Sequence, residues 1–127
     1  MKSVNKMNEQ QAAVYIGLHH KEISKEVEGL SAHNNFAGIL QAVLNLTKSL
    51  LEKRKLTKVI QLIKNIGRLY RRANENITNL IENIFIFSLT RISRRCSAKE
   101  WQLLYSEVPK PLKTVYLMQI DCLNKKR

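Results

Sequence analysis

The sequence predicts an all-α domain: an antiparallel helical bundle, or a short helical-hairpin array, of five to six helices over residues 1–127. Three observations lead there. Only four glycines and two prolines occur, too few turn-makers for many short strands. Apolar residues recur at four-three spacing through most of the chain, the period of one helix face. "ILQAVLNL" (39–46) is echoed twenty residues on by "VIQLIKNI" (59–66), and "LIENIF" (80–85) continues the beat. Twenty residues is one helix plus a turn, so similar helices should pack in alternating directions.

The first helix is expected to open at Asn8, with Gln11 completing a capping box. Ile16, His20, Ile23, Val27 and Leu30 then form a continuous apolar seam, closed by the loop "EGLSAHNN" (28–35). A second helix, about 35–53, buries Phe36, Ile39, Leu40, Val43, Leu44, Thr47, Leu50 and Leu51. "EKRK" (52–55) is its turn, without glycine or proline. The third helix, about 56–73, sets Leu56, Val59, Ile60, Ile63, Ile66 and Tyr70 inward. Its polar side, Lys58 to Arg72, spans roughly 140° at 3.6 residues per turn.

"ANEN" (73–76) restarts the chain into a fourth helix, about 76–93, apolar over more than half its circumference. Ile86 alone turns to the polar side, near Asn79 and Thr90. "SAKE" (97–100) is a second capping box, opening a short helix with Trp101, Leu104 and Tyr105. After "VPKP" (108–111) a last helix, about 111–124, carries Leu112, Val115, Tyr116, Ile120 and Leu123. "NKKR" (124–127) reads as a basic tail.

A chain of this length is one domain and buries roughly two-thirds of its unfolded surface, so it needs neither disulfide nor metal to fold. Cys96 and Cys122 follow no CxxC or zinc spacing and are expected to be buried and reduced in a cytoplasmic protein. The N-terminus lacks the apolar stretch of a signal peptide. The IFIF run is interrupted by Asn76, Asn79, Glu82 and Asn83, which excludes a membrane span of roughly 20 apolar residues.

Charge is the chain's main functional signal. Net charge is +12, and residues 48–99 hold thirteen Lys and Arg against three Glu. Such asymmetry is a hint of an anionic partner, and it equally fits a solvated surface whose Lys and Arg are favoured near helix C-termini by the macrodipole. Helix four separates Arg71 and Arg72 from Arg94 and Arg95 by roughly 27 Å at 1.5 Å per residue, so the two pairs are not one site. Alternating helices should gather Lys53, Arg54, Lys55 and Lys58 with Arg91, Arg94 and Arg95 at one end, opposed by Glu52 alone. That end is the expected partner surface. Lys64, Arg68, Arg71 and Arg72 form a secondary basic face, expected near Glu26 and Glu28. Ile86 and Trp101 are candidate apolar anchors for an acidic protein partner, and Ile86 equally for self-association.

Nucleic-acid binding ranks second. Arg68, Arg71 and Arg72 could track a phosphate backbone, but stacking aromatics are few and no zinc-finger, RNP or GxxG signature occurs. No enzyme is expected: His19 and His20 point about 100° apart on a helix and cannot share a metal, and no P-loop, GxGxxG, GxSxG or CxxC is present. His20 reads as a core histidine and His33 as a cap. Cys96 beside Arg94 and Arg95 could carry a lowered pKa. No cofactor or metal is expected.

The pieces "HNNFAGILQAVLNL" (33–46) and "NENITNLIENIFIFSL" (74–89) resemble an uncharacterised family of small all-helical bacterial proteins. The likeness runs from Leu30 to Ile92 and implies a helical fold. Some members are suspected immunity partners of toxins, which implies protein binding. This chain departs from the family in its strong positive charge and in Ser88-Leu89, where a Glu-Leu pair is more usual.

Overall fold

The computed structural model describes residues 6–125, and every element named among them is helical. There are seven helices: α1 (Glu9–His19), α2 (Ser24–Ala32), α3 (Phe36–Glu52), α4 (Leu56–Arg72), α5 (75–94), α6 (Ala98–Ser106) and α7 (Lys110–Lys125). The basic tail expected at 124–127 lies partly outside the described residues.

Seven exceeds the five or six expected because the first helix breaks at His20. His20 leaves helical geometry (φ −135°, ψ 78°), a 3-10 turn covers Lys21–Ile23, and α2 folds back on α1. A Cβ added at Gly17 would stand 3.8 Å from Ser24 Cβ, in ordinary van der Waals contact across this hairpin. The seam stays inward on both sides of the break: Ile16, His20 and Val27 are buried, Ile23 and Leu30 half-buried. Unbroken periodicity therefore concealed the corner.

The openings and closings follow local chemistry. Asn8 with Gln11 and Ser97 with Glu100 both form the expected capping boxes. Asn34 closes α2 at φ 55°, while Asn35 N donates to Leu30 O and Asn34 N to Ser31 O. Arg54 repeats this at φ 56°, with Lys55 N on Leu50 O and Arg54 N on Leu51 O. Both are Schellman ends. Asparagine tolerates the left-handed region, whereas arginine there is strained by roughly 1 kcal/mol.

The core is centred on Leu40, Val43, Val59, Leu62, Ile66, Leu69, Ile77, Ile81, Phe85 and Leu89, each fully buried. Gly67 admits Pro109: an added Cβ would stand 2.4 Å from Pro109 Cγ, so the approach of the α6–α7 connection to α4 requires glycine. Asn65, expected on the polar side of α4, is buried at 7% exposure.

Helix α5 departs most from expectation. It runs α-helical over Glu75–Leu80, widens to a π turn at Ile81–Phe85, tightens to 3-10 at Ile86–Ser88, and ends α-helical at Leu89–Arg94. The wide turn lets consecutive Phe85 and Ile86 both face the core, and Phe87 is turned out to 52% exposure. Gln119 of α7 donates to Glu82 O inside the wide turn (3.0 Å), and Ser88 Oγ donates to Ile84 O (2.7 Å).

The openings of α1 and α5 meet at the close of α4. Met7 N donates to Arg72 O and Asn74 N to Met7 O, while the side-chain amides of Asn74 and Asn76 donate to Glu9. These amides, Asn76 foremost, hold the Glu9 carboxyl below its ordinary pKa.

Candidate functional site

Arg54 joins the α3–α4 turn to the α5–α6 turn. Its Nη1 donates to Arg95 O (3.2 Å) and to Glu100 Oε1 (3.0 Å). Arg95 in turn pairs with Glu52 at 3.7 Å. The expected gathering of these two turns is thus present, with a correction: Glu100 opposes the cations as well as Glu52. One oxygen of Glu100 serves both the Ser97 cap and Arg54, a second use that a local motif could not reveal.

Lys53, Lys55, Arg91 and Arg94 are exposed and have no ion-pair partner among the described residues. Lys58 is also exposed and unpaired, but it lines a separate cleft with Glu22, His19 and His20. The secondary face divides as well. Lys64 pairs with Glu107 at 2.9 Å, whereas Arg68 donates to Asn65 Oδ1 at 2.7 Å. The exposed pairs contribute at most about 1 kcal/mol each, so their structural weight is in orienting Arg54 and Arg95.

Behind Arg68 lies a buried polar chain. Asn65 Oδ1 accepts from Arg68, so its amide nitrogen faces His20 Nε2 at 3.4 Å. That contact requires His20 to accept, hence to be neutral. Burial lowers the His20 pKa below its ordinary 6.5, nearby Glu22 opposes the shift, and His19 adds to it.

Arg68, Arg71 and Arg72 meet Tyr15 and His19 of α1 around a cleft of about 430 Å³. No carboxylate lines it, contrary to the expected pairing with Glu26 and Glu28. His19 Nδ1 lies 2.9 Å from Tyr15 O, and the two rings are 4.2 Å apart. Tyr15 Oη is buried without a hydrogen-bond partner, the one such side-chain atom among the described residues. An unmet hydroxyl of this kind costs about 1–3 kcal/mol.

Of the two apolar anchors, Ile86 is overturned. Ile86 is fully buried, which removes it as a docking or self-pairing residue; the π turn is the cause. Trp101 is half-buried among Tyr105 and Tyr116, with ring centroids 5.6 and 6.2 Å away. The cysteines, both free, differ from expectation in burial: Cys96 is half-buried and Cys122 exposed. Burial, then Glu100, pushes the Cys96 thiol pKa up against the pull of Arg54, so it is not a lowered-pKa thiol. His33 does serve as a cap, its Nδ1 3.0 Å from Gly29 O.

An apolar cleft of about 840 Å³ between α1 and α2 was not anticipated. Val14 and Leu18 on its rim are 60% and 67% exposed. Their four-residue spacing off the seam was the available signal. Among the described residues no helix is long and apolar enough to cross a membrane, and no group of three or more His, Cys, Asp and Glu is placed to hold a metal ion.

A family described as "Domain of unknown function (DUF7674)" matches residues 14–123. No curated protein and no solved structure matches the chain. The match takes in all seven helices save the opening of α1 and the end of α7, and the chain belongs to this uncharacterised family.

Proposed function

For this DUF7674 family member we propose a non-catalytic protein-binding module that docks an acidic protein surface. The carrying observation is the set of exposed cations without ion-pair partners among the described residues, Lys53, Lys55, Arg91 and Arg94, beside two arginines held by Glu100 and Glu52. In this reading the helices run in alternating directions as an antiparallel bundle, and the oriented arginines give the surface a fixed pattern of charge. A cluster of one sign steers association with an oppositely charged surface and fixes its register. Apolar area for the same kind of partner is available along the α1–α2 cleft. An immunity-type or regulatory role in a bacterial cytoplasm follows from the resemblance of residues 30–92 to proteins suspected of that role.

Sequence-nonspecific nucleic-acid binding is the second reading, favoured by Arg68, Arg71 and Arg72 on consecutive turns of α4. Titration of a labelled duplex and a labelled single strand at two salt concentrations separates the two. Protein binding predicts no saturable complex with either nucleic acid at low salt. Saturable binding whose affinity falls steeply with salt, as counterion release demands, would replace the protein-partner reading.

A further inference from the structure

We propose that the cleft between α1 and α4 is a binding site for a small phosphorylated ligand, held by Arg68, Arg71 and Arg72 against the Tyr15–His19 wall. This site is distinct from the basic pole and does not depend on its partner. Three features carry the inference. The cleft concentrates three guanidinium groups with no carboxylate among its lining residues. Arginines at the end of a helix often serve its free carbonyls, but here the Arg72 carbonyl is occupied by Met7 N at 2.7 Å. Finally, the wall is built rather than loose: Arg68 is anchored on buried Asn65, and His19 Nδ1 is engaged by the Tyr15 carbonyl, which leaves Nε2 free.

Guanidinium groups bind phosphate oxygens in bidentate pairs, and several of them match a group with three terminal oxygens. The volume of about 430 Å³ leaves room beside one phosphate for a further moiety or a second phosphate.

The test is calorimetric titration of pyrophosphate into the full chain at about 0.15 M salt, where screening suppresses diffuse attraction, with amide NMR shifts recorded in parallel. The expected result is saturable binding at one site, with shifts at Tyr15, His19 and 68–72. Arg71→Gln and Arg72→Gln should each weaken binding about tenfold, the scale of one charge-assisted hydrogen bond. Arg71→Lys should weaken it too, since lysine keeps the charge but not the fork. Arg94→Gln, at the other pole, should leave it within about twofold. Equal weakening by Arg94→Gln, or no saturable binding, would overturn the site. Displacement of pyrophosphate by duplex DNA, with the same amides shifted, would also overturn it in favour of a phosphodiester track. Thermal melts confirm that each variant is folded; Arg71 and Arg72 are exposed, so their exchange leaves the core intact.

Discussion

Ile86 and Phe87 show at single-residue scale how a helix irregularity inverts a reading. At a constant 100° per residue Ile86 faces solvent and Phe87 the core. The π turn reverses them, to 0% and 52% exposure. Ile86→Asp should therefore destabilise the protein by more than about 3 kcal/mol, because it buries an unpaired carboxylate. Phe87→Asp should cost roughly 1 kcal/mol or less. Urea unfolding of both variants decides this, and the opposite ranking would restore a regular α5. Capping residues were legible because Asn8–Gln11 and Ser97–Glu100 act over three residues of sequence. The left-handed Arg54 was not, since nothing in its residue type announces φ 56°. The tie from Arg54 to Glu100 spans 46 positions and exists only once the chain is folded.

At the scale of elements, the corner between α1 and α2 carries the clearest pH signature. His20 sits at that corner, facing Asn65 within a cleft that Lys58, Lys64, Arg68, His19 and Glu22 also line. Its folded-state pKa is depressed below 6.5, chiefly by burial. The unfolded chain thus takes up the proton at higher pH than the native one. The stability this group contributes is present above 6.5 and is lost as pH falls through the window beneath it. His20→Gln keeps a side-chain acceptor for Asn65 and removes the titration. Unfolding free energies from about pH 7 down to about pH 5, where an ordinary histidine protonates, should fall more steeply for the native protein than for the variant. Parallel profiles would mean that His20 is no more protected than an exposed histidine. The helices themselves were legible from periodicity, and α3, α4 and α7 came within a residue or two of their expected bounds. The corner was missed because a helix folded back on itself keeps one apolar seam facing inward.

Across the whole molecule, the positive charge separates into two surfaces of different build. The basic pole is open, with Lys53, Lys55, Arg91 and Arg94 exposed and unpaired among the described residues. The arginine cleft is concave and walled by two rings. The division between the ends of α5 was readable from helix length alone. The neutralisation of Lys64 by Glu107, and the absence of Glu26 and Glu28 from the cleft, required the folded chain. The most direct measurement is sedimentation of the purified chain with the product of the adjacent reading frame, native and with Lys53→Glu, Lys55→Glu and Arg94→Glu combined. A salt-sensitive complex with the native chain, lost in the triple variant and kept in Arg71→Gln, is the predicted outcome. A mixture that sediments as two separate species, or a complex that survives the triple reversal, would contradict docking through the basic pole.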